Sequence, residues 1–533
     1  MMKVLVCDPI ADQGIERLRQ EGDIEVTVAT GLPREELIAR VPVYDALVVR
    51  SETKVTREVI EAGTNLKAIG RAGVGVDNID IDAATKRGVV VLNAPEGNTL
   101  AAVEHTIAML MALARNIPQA HASLKAGKWE RKAFMGIQVD GKTLGVIGLG
   151  RIGSEVARRM HALGMHVLGF DPFVAPERSA ELGIEVVDLP RLFAAADFVT
   201  LHVPLTKETR HMIGSKEFAQ MKDGVRIINC ARGGVIDEQA LYDAVKSGKV
   251  AGAALDVFEQ EPLKTSPLLE LDQVIVTPHL GASTEEAQIN VAMHIAEEII
   301  KVLKGEFFKN AVNVPSVPPA LLAKLKPFMP LAESLGRLYT ELAVGGHGRI
   351  EVIYRGFLAE HDVTLLTTAV LKGVLDPILQ EKLNLVNARF VASERGIKVA
   401  EVKERDGDRY PAVIEVRGET EEGIRSVAGC LGENGMSRLV RINDYPIDLV
   451  PLGHMLVIDY EDRPGVIGRV GTILGRNNIN IAYMQVGRKS AGGQAVMVLG
   501  IDDPAPADVL AEVSRVAEVT RVRPVEWWQA QEQ

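Results

Sequence analysis

Short Val- and Ile-rich runs alternate with polar, helix-like stretches through residues 1–98. The runs KVLVCD, IEVTVA, ALVVRS, LKAIGRAG and VVVLNAP each fit a buried strand, and their rhythm predicts parallel β/α units forming one lobe. From Thr99 to Leu124 apolar residues lie nearly all round a helical wheel, which predicts one long buried helix leading to a second lobe. A second series begins at Lys142, with TLGVIGLG, HVLGFD, FVTLHVP, GVRIINCA, AGAALDVF and QVIVTPH as strands. Six such strands, each followed by a helix-like stretch, make a full doubly wound set.

After Ser283 an amphipathic helix is predicted to about Lys304, followed by NVPSVPP at Asn313 to Pro319. Clustered prolines break regular structure, so this segment reads as a linker that ends the preceding body. The stretch from about 320 to 450 has a mixed α/β pattern and no motif with readable chemistry. From Gly453 the order is strand, helix, strand, strand, helix, strand, which predicts a βαββαβ ferredoxin-like unit. The expected fold class is α/β throughout: two Rossmann-like lobes, an intervening α/β domain over 315–450 and a ferredoxin-like unit over 451–533.

Size and composition agree with several folded units. A chain of 533 residues exceeds the roughly 250 to 300 at which single cores stop growing. Hydrophobic residues at 47% and charged residues at 25% argue against disorder. A formal charge of −11, from 60 Lys plus Arg against 71 Asp plus Glu, argues against nucleic acid as a partner. The three cysteines, Cys7, Cys230 and Cys430, have no disulfide or metal spacing, so a reducing, cytoplasmic setting and no metal are expected. The opening MMKVLVCDPI is too short for a signal-peptide core, and no apolar stretch approaches the roughly 20 residues of a membrane span.

The sharpest motif is GLGRIG at Gly148 to Gly153, directly after a predicted strand and opening a predicted helix. Gly148 permits the tight turn, Gly150 lets the backbone approach a pyrophosphate, and Gly153 lets the helix pack on the strand. The helix N-terminus then offers free amides to the phosphates. Asp171 closes the next strand about 20 residues on, where a carboxylate accepts from the ribose hydroxyls of NAD and repels the 2′-phosphate of NADP. No Arg follows it before Arg178, and capping of a turn at Pro172 is a compatible structural role.

Three further residues fall at predicted strand ends: Arg232 in NCARGG, Glu261 in DVFEQEP and His279 in TPHLGAS. Oxidation of a 2-hydroxy acid needs a base for the hydroxyl proton while hydride leaves C2, which suits His279. Glu261 would orient that imidazole and favour its protonated form, and Arg232 would grip the substrate carboxylate. Taken singly each has an ordinary structural role open to it, as surface cation, loop acid or capping histidine. His105 in VEHTIAML reads as a packed or hinge residue and His202 as packing near the nicotinamide.

Residues 1 to about 314 resemble the D-isomer-specific 2-hydroxyacid dehydrogenases, through RAGVGVDNID, GNT, GLGRIG, HVPLT, NCARGG, ALDVFEQEP and TPHLGAST. The resemblance implies an NAD lobe, 99–282, inserted in a discontinuous substrate lobe made of 1–98 and 283–314, with the cleft between them. It implies Arg232, Glu261 and His279 as catalytic residues. NAD contacts are implied at Val74, Arg151, Ile152, Asp171, Val203, Cys230, Ala231, Asp256, Gly281 and Ala282, beside the glycine turn. Substrate contacts are implied at Arg50, Ser51, Gly73, Val74 and Asn98.

GKWERKAFMG at Gly127 to Gly136 is similar to the phosphoglycerate dehydrogenases of that family, which implies 3-phospho-D-glycerate as substrate, in serine biosynthesis. There Arg131 or Lys132 would reach the substrate phosphate of a neighbouring subunit, so a homodimer or homotetramer is expected. Some relatives carry a second Arg two positions after Arg50, where this chain has Glu52. The carboxy-terminal unit resembles an ACT domain. Gly465 opens a helix able to receive a carboxylate, and Tyr460, Asp462 and Asn480 are candidates for binding L-serine as effector. Two other readings share parts of this pattern: a glyoxylate or hydroxypyruvate reductase with the same three catalytic residues, and an NADH-binding corepressor-like scaffold.

Overall fold

A computed structural model of the chain describes residues 1–174, 184–315, 317–343, 345, 348–379, 383–405, 409–421 and 423–527. Arg178, and Ser316 in the predicted linker, lie outside the described residues.

The first lobe is a five-stranded parallel sheet of β1 (Met2–Val6), β2 (Ile24–Val28), β3 (Ala46–Val49), β4 (Ala68–Arg71) and β5 (Val90–Asn93), in the order β2-β1-β3-β4-β5. All five predicted strands are present. The order reverses between β1 and β3, and in such sheets the crevice at the reversal, beyond the carboxyl ends of the strands, is the ligand side. Helix Glu285–Leu303, capped by the Thr284 side chain on Ala287 N–H, packs Val291, Ile295, Ile299 and Leu303 into the core of this lobe. The segment after Ser283 therefore returns to the first sheet, and Asn313 then clips it by hydrogen bonds to Val91 N–H and Val89 C=O.

The predicted single helix over Thr99–Leu124 is instead two, Thr99–Ala114 and Ile117–Lys125, bent by 64°. Pro118 has no N–H and clashes with a helical carbonyl four residues back, and Asn116 takes a left-handed conformation (φ 54°) that ends the first helix. Only the first helix buries a face, in the core of the second lobe, whereas the second has no fully buried residue. Uniform apolarity along the segment concealed the break. Among the described residues no single helix is long and apolar enough to cross a membrane.

The second lobe is a parallel sheet of seven strands, not six: β6 (Thr143–Ile147), β7 (His166–Phe170), β8 (Glu185–Val186), β9 (Phe198–Leu201), β10 (Val225–Asn229), β11 (Val250–Leu255) and β12 (Val274–Val276). The order is β12-β11-β10-β9-β6-β7-β8. The added strand, β8, has two exposed residues at the sheet edge, too short and too polar to register as a hydrophobic run.

The intervening region forms a six-stranded sheet, β13 (Arg349–Gly356), β14 (Lys398–Glu404), β15 (Ala412–Thr420), β16 (Gly423–Leu431), β17 (Ser437–Ile442) and β18 (Tyr445–Leu449), in the order β14-β13-β15-β16-β17-β18. Helices Met329–Leu342 and Thr364–Leu375 pack on one face. The last unit is the predicted βαββαβ: β19 (Gly453–Glu461), helix Val466–Arg476, β20 (Ile481–Arg488), β21 (Gln494–Ile501), helix Ala507–Ser514 and β22 (Val519–Trp527). Its antiparallel order is β20-β21-β19-β22. One face of this sheet carries its own helices. The other puts Met455, Val457, Val496, Val498, Val525 and Trp527 into the core of the intervening region.

Candidate active site

Adjacent strands β10, β11 and β12 bring the three catalytic candidates to one end of the second sheet. Arg232 follows β10, where Asn229 Nδ2 donates to its carbonyl (2.9 Å) and Ala231 N–H donates to Asn229 Oδ1 (3.0 Å). Glu261 follows β11 and His279 follows β12. His279 Nδ1 donates to Glu261 Oε2 at 2.7 Å, while Glu261 Oε1 accepts from Phe258 N–H at 3.0 Å. This arrangement leaves His279 Nε2 for another partner. Burial alone would raise the Glu261 carboxyl; the bonds from the His279 ring and Phe258 N–H, with the charge on His279, outweigh it and hold the group below its ordinary value.

Asp256, at the end of β11, is fully buried. It accepts from Thr277 Oγ1 (2.6 Å) and from Leu280 and Gly281 N–H (2.7 and 2.9 Å), and His105 Nε2 stands 3.2 Å away. Its oxygens thus fix the turn that carries His279. Burial would raise this carboxyl as well, and the His105, Thr277 and Leu280 bonds bring it below the usual range. His105, bonded to both Asp256 and Thr277, ties the helix between the lobes to the end of β12. That is the packed role expected from its near-apolar surroundings.

The glycine turn leaves β6 with Gly148 at φ +93°. A β-carbon at Gly153 would stand 1.9 Å from the Gly148 carbonyl oxygen, so only glycine lets the helix start this close to the strand. A β-carbon at Gly150 would meet nothing within 4 Å: the space over the turn is open. Helix Arg151–Ala162 has neither a side-chain cap nor an acid in its first turn, which leaves its first amides for an anion. Asp171 accepts from Leu149 N–H (2.8 Å) and Phe173 N–H (2.9 Å), one on each oxygen, and so stands beside the turn with lone pairs to spare. An open turn, free amides and an adjacent carboxylate fit a dinucleotide pyrophosphate and ribose. Val203 and His202 pack against Gly148 from β9, and burial draws His202 down to about 4, so it is a neutral wall residue. Cys230 is half-buried, and desolvation there, with Asp256 nearby, pushes its thiol up to about 12. Ile152 lies partly buried in the first turn of the helix, and Arg151 pairs with Glu96 of the first lobe at 3.4 Å.

From the first lobe, Arg50 follows β3 and lines a cavity of about 600 Å³ with Ser283, Thr284 and Gln288. Gln288 Nε2 donates to Ala282 C=O at 2.7 Å, closing the return into the first lobe. Ser51 is exposed, Gly73 C=O accepts from Ala94 N–H (2.8 Å) and Val74 C=O accepts from Asn93 Nδ2 (2.7 Å). Asn98 Oδ1 is buried without a partner among the described residues. A β-carbon at Gly75 would stand 2.8 Å from Arg232 Nη2, so the guanidinium from the second lobe reaches the glycine loop of the first. Sequence reading passed over Arg71 within that same motif. Burial, then repulsion from Arg232 and Arg50, draws Arg71 down to about 10 against the pull of Asp77 and Asp8. Arg50, Arg71 and Arg232 thus form one cationic cluster at the lobes' meeting. Its signal in the sequence was position: Arg71 ends a strand, as the other ligand-side residues do.

Arg131 and Lys132 are exposed in the turn after helix Ile117–Lys125 and make no hydrogen bond or ion pair with this cluster among the described residues. The effector candidates are not brought together as open contacts either. Tyr460 is fully buried in the carboxy-terminal core, and its hydroxyl has no hydrogen-bond partner among the described residues. A tyrosine on the buried face of β19 serves packing first. Asp462 holds Arg488 at 2.7 Å and Asn480 holds Asp502 at 2.8 Å, while Gly465 (φ +92°) opens helix Val466–Arg476 without a side-chain cap.

The open dinucleotide turn and the carboxylate–imidazole pair define an NAD-dependent dehydrogenase. Residues 107–281 match the NAD binding domain of the D-isomer specific 2-hydroxyacid dehydrogenases, 324–443 the D-3-phosphoglycerate dehydrogenase intervening domain, and 454–518 the ACT domain. A D-3-phosphoglycerate dehydrogenase of Archaeoglobus fulgidus is 52% identical over 97% of this chain and 98% of its own. Another, from Methanocaldococcus jannaschii, is 49% identical over 98% and 99%. Among solved structures, a glyoxylate reductase from Paecilomyes thermophila is similar at TM-score 0.54 and 32% identity, over 58% of this chain and 98% of that one. A D-lactate dehydrogenase from Aquifex aeolicus complexed with NAD and lactic acid has TM-score 0.51 and 31% identity, over 57% and 96%. The chain belongs to the D-3-phosphoglycerate dehydrogenase family, within the D-isomer-specific 2-hydroxyacid dehydrogenases.

Proposed function

We propose that the cleft oxidises 3-phospho-D-glycerate to 3-phosphohydroxypyruvate with NAD, the first step of L-serine biosynthesis. The observation that carries the chemistry is the 2.7 Å Glu261–His279 pair. With Nδ1 donating to Glu261, His279 presents Nε2 as the acceptor for the substrate hydroxyl proton. As that proton moves, the C2 hydrogen departs with its electron pair and the C2–O bond becomes a carbonyl. NAD supplies the hydride acceptor. Glu261, kept ionised, stabilises the imidazolium so formed, which then returns its proton to solvent.

Arg232 holds the C1 carboxylate against the glycine loop and fixes the face of C2 presented to the cofactor. Arg50 and Arg71, with the unpartnered Asn98 Oδ1 for a substrate hydroxyl, complete an anion pocket for the other end. The NAD residues are those around the glycine turn, with Asp171 taking the ribose and Val74, Cys230, Ala231, Gly281 and Ala282 the nicotinamide side. In this reading the substrate lobe is 1–98 with 283–314, the NAD lobe 99–282, the intervening domain 315–450 and the ACT domain 451–533.

The active unit in this proposal is a homodimer or homotetramer. Leu100, Ile117, Leu124, Trp129 and Met135, between 54% and 81% exposed, are clustered in sequence around Arg131 and Lys132. An apolar surface of that kind favours pairing with a second copy, which would deliver those two cations to the neighbouring substrate phosphate. L-serine is the proposed effector of the ACT domain, with its carboxylate at the uncapped helix opened by Gly465 and with Asp462 and Asn480 as polar contacts. A cytoplasmic setting suits the isolated cysteines. The test is NADH formation with 3-phospho-D-glycerate, D-glycerate and D-lactate in parallel, with and without L-serine. Selective turnover of the phosphorylated acid, depressed by serine, is expected; turnover of the unphosphorylated acids alone overturns the substrate assignment.

A further inference from the structure

Asp8 has no role in the chemistry above, yet it sits where the first sheet reverses, between the ends of β1 and β3. Its side chain is 1% exposed. Its oxygens accept from Arg50 N–H at 2.5 Å, from Thr53 N–H at 3.1 and 3.2 Å, and from Thr53 Oγ1 at 2.5 Å. From the other side, Asn78 Nδ2 donates to Arg50 C=O at 2.8 Å and to Thr53 C=O at 2.7 Å. Both backbone polar groups of Arg50 are therefore fixed by buried or half-buried side chains. The guanidinium of the same residue makes no hydrogen bond or ion pair among the described residues and stands at the cavity beside Ser283 and Gln288.

A carboxylate buried this deeply is unfavourable unless hydrogen bonds and neighbouring cations offset the loss of water. Here the donors all come from one four-residue loop, and the nearby cations include Arg71, on which Asp8 exerts an attraction. An arginine on an unsupported exposed loop would lose backbone as well as side-chain freedom on gripping an anion. With the backbone already fixed, only the side chain has to order.

We propose that Asp8 and Asn78 are positioning residues that preset the Arg50–Thr53 loop for the anionic substrate. The proposal rests on the reading of Arg50 as a substrate contact. It assigns Asp8 an effect on substrate affinity and none on hydride transfer, because nothing in its contacts reaches His279 or the dinucleotide turn.

The test compares full-length Arg50→Gln, Asp8→Asn, Thr53→Val, Thr53→Ser and the Arg50→Gln/Asp8→Asn double variant. KM for 3-phospho-D-glycerate, kcat, and NADH affinity by direct fluorescence titration are measured on each. Arg50→Gln raises KM if the Arg50 reading holds; an unchanged KM there refutes that reading and the proposal with it. Asp8→Asn keeps one acceptor oxygen of two and is expected to raise KM roughly tenfold, the scale of one lost charge-assisted bond, with kcat and NADH affinity within about twofold. Thr53→Val raises KM in the same direction, and Thr53→Ser, which keeps the hydroxyl, restores it. In the Arg50→Gln background Asp8→Asn adds nothing further, because the two act as one unit. A large Arg50→Gln effect with normal KM in both Asp8→Asn and Thr53→Val overturns the positioning role. If Asp8→Asn loses NADH binding and turnover together, the Thr53 pair decides: a KM rise in Thr53→Val reversed in Thr53→Ser sustains the proposal, and no rise refutes it.

Discussion

Replacing Glu261 by glutamine isolates what its charge and its second acceptor oxygen contribute. The wild-type carboxylate meets two demands at once, Phe258 N–H on Oε1 and His279 Nδ1–H on Oε2. A carboxamide has a single oxygen. If that oxygen stays with Phe258, the amide NH2 introduced by Glu261→Gln faces His279 and forces the ring proton onto Nε2, where the nitrogen can no longer act as base. If it turns to His279, Phe258 N–H loses its acceptor and the developing imidazolium loses its anion. Either route forfeits a charge-assisted hydrogen bond of about 1.5–3 kcal/mol in the transition state, which corresponds to roughly a ten- to hundredfold fall in kcat. Because the side chains of both partners are more than a third exposed, solvent screens part of the Coulomb attraction, and values near the lower end are expected. The assay is initial-rate NADH formation at saturating substrate, with NADH affinity measured separately by fluorescence. A kcat within about threefold of wild type, below the roughly 1.5 kcal/mol floor of one charge-assisted bond, would refute the role given to this pair.

His279→Ala is expected to abolish hydride transfer while leaving NADH binding nearly intact in the same titration; loss of both would reassign His279 to cofactor binding. Asp171→Ala should narrow the preference for NAD over NADP, read as the ratio of kcat/KM for the two cofactors, and an unchanged ratio would remove the ribose assignment. It should also loosen the turn, since Leu149 and Phe173 N–H lose their acceptor. His202 gives a prediction about stability and pH. Burial keeps its folded value near 4, against 6.5 when unfolded, so only the unfolded chain takes up this proton between those values. The stability due to the neutral ring is complete above about pH 6.5 and declines as pH falls toward 4, after which it levels off. Urea midpoints of a His202→Asn variant should fall less steeply across that window than those of the wild type, and parallel profiles would contradict the reading.

Much of the active site was legible because chemistry and strand ends coincide in the sequence. GLGRIG announces its use by following a strand and opening a helix, and Arg232, Glu261 and His279 each close a hydrophobic run. Arg71 closes one as well, yet a single arginine in a glycine-rich motif carried no sign of the two other guanidiniums it meets. Asp8 was less visible still. It looks like the polar end of β1, and its partners lie 42 to 45 residues away. Tyr460 was visible only in part: its place in the ACT-like motif was plain, but that the strand's alternation turns its ring into the core was not.

The sequence alone determined the α/β class, the order of the strands along the chain and the glycine turn, and it singled out Glu261 and His279, which the fold brings to 2.7 Å of each other, since these depend on local periodicity and on residue type at strand ends. Tertiary structure decided which distant residues share a space. It broke the Thr99–Leu124 segment in two, set a seventh strand at the edge of the NAD sheet, and gathered Arg50, Arg71 and Arg232 from two lobes. It also gave Asp8 its loop and Asp256 its turn. Local patterning records how each segment buries its own apolar face. Charge meeting charge across sheets depends on how those faces stack, which no short window of sequence contains.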